Sequence, residues 1–119
     1  MKRILVVDDD PEIVDLLKNR LEAHRYAVLT ACDGEQGLSK IKNEDPHLII
    51  LDVAMPKMDG YTFVLELKKS GRFKGIPVVM LTAKENIKDL FAIEGVTNYI
   101  VKPFIAEDLL KTVVGILKE

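Results

Sequence analysis

The stretch Leu48-Ile49-Ile50-Leu51-Asp52 consists of four consecutive aliphatic residues closed by a carboxylate. A strand with one wet face alternates apolar and polar residues, whereas a run apolar at every position fits a strand covered on both faces. Such strands belong to the interior of a parallel sheet, so Asp52 is expected at the carboxyl end of a central strand.

Similar units lie on either side. Ile4–Val7 is followed by Asp8-Asp9-Asp10 and then by Pro11 to about His24, in which Ile13, Leu16, Leu17 and Leu21 recur at helical spacing. Asp10 suits the N-cap of that helix, with Pro11 at its first position, where a missing N–H costs nothing. Ala27–Cys32 leads into Asp33-Gly34-Glu35-Gln36, a capping-box pattern. Met58-Asp59-Gly60 opens a helix carrying Phe63, Leu65 and Leu67, with Asp59 as its cap. Pro77–Leu81 precedes a fourth helical stretch with Ile87, Leu90 and Phe91 that stops near Gly95. Asn98–Val101 precedes a fifth with Leu109, Leu110, Val113, Val114 and Leu117. That last helix contains Gly115 and has Ile105 where a capping Ser or Asp is favoured. Strict strand–helix alternation predicts an α/β fold: a five-stranded parallel sheet with helices on both faces, doubly wound, as a single domain over residues 1–119.

Composition excludes several classes. The chain has 119 residues, 48% apolar and 30% charged, the profile of a folded globular domain rather than a disordered segment. Its aliphatic runs are far shorter than the roughly 20 residues of a membrane span. The run after Met1-Lys2-Arg3 is also too short for a signal peptide, so a cytoplasmic, membrane-free protein is expected. A net charge of −2 with scattered basic residues gives no footprint for direct nucleic-acid binding. The lone Cys32 is expected to be a small core residue. His24 and His47 have no ligand-spaced partners and are expected on the surface.

Chemistry gathers where the strands end. Asp8 and Asp9 end the first run, Asp52 the third and Thr82 the fourth, and Lys102 follows the fifth. In the predicted sheet all five face one crevice. Clustered carboxylates must either take up protons with raised pKa values or bind a cation. An all-oxygen site with room for water suits Mg²⁺. A hard dication, a lysine ammonium and a threonine hydroxyl together suit phosphoryl oxygens, and a carboxylate among them can act as nucleophile. Asp52 is the expected nucleophile, with Asp8 and Asp9 as metal ligands.

These motifs resemble, in order and over the whole chain, the receiver domains of two-component response regulators, in particular the single-domain chemotaxis-regulator type. They are Val6-Val7-Asp8-Asp9, Leu51-Asp52-Val53-Ala54-Met55-Pro56 with Met58-Asp59-Gly60, Leu81-Thr82-Ala83 and Lys102-Pro103-Phe104. The resemblance implies a flavodoxin-like (βα)5 fold and phosphorylation of Asp52 by a histidine kinase or phosphotransfer protein. It implies Mg²⁺ held by Asp8, Asp9, Asp52 and the carbonyl of Ala54, with Lys102 and Thr82 toward the phosphoryl oxygens. Tyr99 becomes an aromatic switch, the Lys102–Pro103 bond is cis, and an unknown downstream protein reads the fourth helix, fifth strand and fifth helix. Such a domain is a signalling phosphoacceptor rather than an enzyme. Twenty positions separate Thr82 from Lys102, about two fewer than the family pattern, so a shortened fourth helix or loop is expected.

Two other classes make different demands. A haloacid-dehalogenase-like phosphohydrolase places a second Asp two residues after its nucleophile, where this chain has Ala54, and encloses its substrate under a cap domain. A partner-binding pseudo-receiver lacks the acceptor or the lysine, and this chain has both Asp52 and Lys102.

Overall fold

The computed structural model describes residues 1–55, 58–83 and 98–118. Within them, strands and helices follow in the order β1 (Arg3–Val7), α1 (Pro11–Ala23), β2 (Ala27–Ala31), α2 (Gly34–Glu44), β3 (Leu48–Asp52), α3 (Gly60–Lys68), β4 (Val78–Thr82), β5 (Asn98–Val101) and α4 (Ala106–Leu117). The expected helical stretch with Ile87, Leu90 and Phe91, and its inferred shortening, lie outside the described residues.

All five strands are parallel and ordered β2-β1-β3-β4-β5. The chain steps from β1 to β2 on one side and returns to β3 on the other. The topological switch therefore falls between β1 and β3, where a crevice opens at the carboxyl ends of the strands. Asp8 follows β1 and Asp52 ends β3, so this topology alone brings together residues 44 positions apart.

Strand alternation divides the core in two. Leu5, Val7, Ile49, Leu51, Val78 and Met80 face Ile41 of α2 and Phe63, Val64 and Leu67 of α3. Ile4, Val6, Leu48, Ile50, Val79 and Leu81 face Leu17 and Leu21 of α1 and Leu109, Leu110 and Val113 of α4. β3 and β4 are buried at every position, whereas β5, an edge strand, is half-exposed.

Three helices start on side-chain caps, each an aspartate accepting a backbone N–H: Asp10 from Glu12 at 3.0 Å, Asp33 from Gln36 at 2.8 Å and Asp59 from Thr62 at 2.8 Å. The carboxylates also oppose the positive helix ends. The Gln36 side chain reaches back as the capping box predicts, although it accepts from Cys32 N–H, one residue before the cap. α4 starts at Ile105 with no side-chain cap. The guanidinium of Arg3 donates at 2.9 Å to both Glu44 O and Asp45 O, satisfying carbonyls that the end of α2 leaves open.

Two expectations are corrected. Cys32 is exposed rather than in the core: β2 ends at Ala31, and the next residue turns out over the start of α2. His47 is half-buried rather than on the surface. Its Nδ1 accepts Arg3 N–H at 2.9 Å, while its own N–H donates to Arg3 O at 2.8 Å, so it clasps the start of β1 to β3. His24 is exposed as expected.

Burial, with the charges of Arg3 and Lys2 and the N-terminal amine, holds the His47 imidazole below its ordinary value against the opposing carboxylate of Asp45. A histidine depressed in the folded state contributes stability above pH ~6.5, and that stability is lost as pH falls through the folded value. His47→Gln keeps an acceptor but cannot titrate. Between pH 7.5 and 5, the wild type should lose about 1 kcal/mol, or roughly 4 °C in melting temperature, relative to this variant. An unchanging difference would show that the Nδ1 acceptor plays no such part.

Gly115 lies within α4, and a Cβ built there meets nothing within 4 Å. Gly115→Ala should therefore stabilise the fold by about 0.5–1 kcal/mol through helix propensity alone, measured by urea unfolding.

Candidate functional site

The crevice over β1, β3 and β4 is a cleft of about 550 Å³ lined by Asp8, Asp9, Asp52, Thr82 and Lys102, together with Asp10, Val53, Ala54, Asp59 and Ala83. All five side chains expected at the strand ends therefore meet in it, with Ala54 at its wall. Among the described residues, Asp8, Asp52 and Thr82 are the buried polar or charged ones, at 1%, 5% and 3% exposure. Asp9 is exposed.

The backbone fixes these groups before their side chains interact. Asp8 N–H donates to Ala31 O at 3.1 Å and Val53 N–H to Leu81 O at 3.0 Å, which extends the sheet ladder past β1 and β3 into the site. Lys102 N–H donates to Thr82 O at 2.6 Å, tying the residue after β5 to the last residue of β4. The Lys102–Pro103 peptide is cis, as expected. The N–H of Asp10 donates to Asp8 Oδ1 at 2.9 Å, so the same turn that caps α1 orients a buried carboxylate.

One oxygen each from Asp8, Asp9 and Asp52 can be chosen so that all lie within 4.8 Å of one another. At an effective dielectric near 20, each such pair of ionised carboxylates repels by roughly 3–4 kcal/mol. Lys102 offsets part of this, with Nζ at 3.1 Å from Asp52 Oδ1 and 3.4 Å from Asp8 Oδ2.

The titration of these groups reflects the balance. Burial pushes the Asp52 carboxyl above its ordinary value, and the charges of Asp8 and Asp9 add to the rise against the hydrogen bond and charge of Lys102. Asp8 is also raised by burial, opposed by Asp10 N–H and Lys102. For Lys102, burial disfavours the ammonium, but the hydrogen bond and charge of Asp52, joined by Asp8, outweigh it and the net shift is upward. Among the described residues, one ammonium thus leaves this acid cluster undercompensated. Oxygen donors from three positions around one point, one of them open to solvent, fit a hard divalent cation that keeps part of its water.

Tyr99 lies on β5, opposite Met80 of β4, and is 39% exposed. It stands at the outer edge of the sheet rather than in the cleft. Asp10 and Asp59, read from the sequence as caps, line the cleft as well. Their proximity follows from topology, which the local capping signal does not carry. Among the described residues, no helix is long and apolar enough to cross a membrane.

Comparison with known proteins agrees with this geometry. The chain is 42% identical over 119 residues to the alkaline phosphatase synthesis transcriptional regulatory protein PhoP of Bacillus subtilis, covering 98% of this chain and 49% of that one. It thus spans about half the length of the curated relatives it matches. Among solved structures, the chemotaxis protein CheY4 of Vibrio cholerae superposes with a TM-score of 0.89 at 36% identity, over 95% of this chain and 96% of that one. A putative response regulator from Chloroflexus aurantiacus gives 0.92 at 32% identity, over 99% and 98%. Residues 4–114 match the response regulator receiver domain, and with an acid cleft at the β1/β3 switch of a parallel sheet, the chain belongs to that family of two-component phosphoacceptors.

Proposed function

We propose that Asp52 accepts a phosphoryl group from a histidine kinase or phosphotransfer protein, with Mg²⁺ beside it. The observation that carries this reading is the convergence of Asp8, Asp9 and Asp52 in one cleft, with Lys102 bonded to the acceptor carboxylate. Asp8, Asp9, Asp52 and the carbonyl of Ala54 would hold the ion, which when bound neutralises charge on the acids and on the incoming phosphoryl oxygens.

The chain's own groups do the rest. A carboxylate oxygen of Asp52 attacks phosphorus, the bond from phosphorus to the donor imidazole nitrogen breaks, and its electron pair returns to the ring. The product is an acyl phosphate on Asp52. Lys102, already paired with Asp52, follows the negative charge onto the phosphoryl oxygens, and the Thr82 hydroxyl supplies a further donor. A phosphoryl group adds about −1.5 to −2 charges and three strong acceptors, so Thr82 and Lys102 gain phosphoryl oxygens as partners in one state only. That difference shifts a two-state equilibrium, with Tyr99 as its aromatic reporter on β5. Residues 1–119 serve as one cytoplasmic receiver domain that hands its state to a downstream protein, contacts no nucleic acid itself and turns over no substrate of its own.

Incubation with acetyl phosphate and Mg²⁺, followed by intact-mass measurement, should give a gain of one phosphoryl. Chelation of the metal or Asp52→Ala should abolish it. Steady turnover of a generic phosphomonoester would instead mark a hydrolase.

The raised carboxyls give a second test. An acid raised in the folded state contributes stability below pH ~3.8, and that contribution is lost as pH rises through the folded value. At pH 7.5 in chelator the ionised cluster is therefore a cost, and Asp52→Asn should raise the melting temperature by roughly 4 °C, about 1 kcal/mol. The gain should vanish toward pH 3.5 and shrink on adding Mg²⁺, which stabilises only the wild type appreciably.

A further inference from the structure

We infer that Gly60 is a positioning residue for the phosphoacceptor segment, holding Asp52–Ala54 in register by letting α3 start directly on its backbone. The inference rests on the reading of Asp52 as acceptor beside a divalent ion. A Cβ built on Gly60 falls 2.9 Å from Val53 Cα, 3.0 Å from Asp52 O and 3.0 Å from Met80 Cε. Two of these neighbours are main-chain atoms that cannot rotate aside. The φ of Gly60 lies outside the left-handed range, so what the site requires of this glycine is space.

The approach is also bonded. Gly60 N–H donates to Val53 O at 2.9 Å, while Val53 N–H donates to Leu81 O at 3.0 Å. Both backbone groups of the residue after the acceptor are therefore held, one by β4 and one by the first residue of α3. Asp59 fixes that helix end by accepting Thr62 N–H at 2.8 Å. The 52–53 and 53–54 peptides are thus both held, which fixes the main chain that carries the Asp52 side chain and leads into Ala54. A methyl group at position 60 forces either α3 outward or the 52–54 backbone toward the cleft, and both alter the distances on which a multidentate oxygen site depends.

Gly37 supplies a matched control. A Cβ there is equally crowded, at 2.8 Å from Phe63 Cε2 and 3.0 Å from Val7 Cγ2, yet it meets core side chains rather than the backbone of the acceptor segment. Gly37→Ala and Gly60→Ala should both lower stability, but they should separate in metal binding.

The experiment titrates Mn²⁺ into each protein below its melting temperature, reading free metal by electron paramagnetic resonance, and measures acetyl phosphate uptake in parallel. Gly60→Ala should weaken Mn²⁺ binding by about tenfold to a hundredfold and slow uptake, while Gly37→Ala binds as the wild type does. If Gly60→Ala is too unstable to titrate, Gly60→Ala with Met80→Leu removes the side-chain contact at nearly constant volume and leaves the two backbone contacts. It should recover at most the part of the stability that the Met80 contact costs, and no metal affinity, because the two backbone contacts remain. Wild-type affinity in either folded Gly60 variant, or an equal loss in Gly37→Ala, would overturn the assignment. Failure of the wild type itself to bind Mn²⁺ or take up phosphate would instead count against the phosphoacceptor reading.

Discussion

Carboxylates of like charge held together in partial burial are the constraint around which this molecule is arranged. Asp8 and Asp52 are almost fully removed from water, and among the described residues one lysine reaches both. Repulsion of this kind would disperse acids on a loop, where side chains can rotate away. Here they cannot disperse, because each sits at the end of a strand locked into the sheet on both sides. β1 pairs with β2 and β3, and β3 pairs with β1 and β4. The hydrogen-bond ladder thus sustains an electrostatically unfavourable cluster, and a cluster kept in that condition favours the arrival of positive charge.

The two hydrophobic layers make that rigidity possible. Every residue of β3 before Asp52 is fully buried, with successive side chains entering opposite layers. A shift of register by one residue would exchange the layers and carry Asp52 out of line with Asp8. Packing and site geometry are therefore specified by the same residues. The helix caps contribute in the same double way: Asp10 and Asp59 close helix ends while adding carboxylates to the rim of the cleft.

Much of this was legible in the sequence because it is written in local patterns. The aliphatic run Leu48–Leu51 announced a doubly covered strand, and the capping signals at Asp10, Asp33 and Asp59 placed three helix starts. Asp8, Asp9, Asp52, Thr82 and Lys102 were found because parallel topology sends every strand end to the same side. What escaped depends on contacts between distant segments. Cys32 looked apolar in its neighbourhood, yet β2 ends one residue earlier and leaves it outside. His47 seemed partnerless because its partner is a backbone N–H 44 residues away. The crowding at Gly60 could not be read either, since a glycine opening a helix has many local explanations and none mentions the backbone of Val53.

The strands of the sheet are unequally covered. β3 and β4 are buried throughout, while β5 is half-open to solvent and, among the described residues, joined to the sheet along one side only. Covering in the sheet is thus graded, complete beneath the acids and partial toward Tyr99. Thr82, buried at the end of β4, is tied to that open edge by its main-chain bond with Lys102. The architecture in this way sets the least covered strand of the sheet one main-chain bond from the acid cleft.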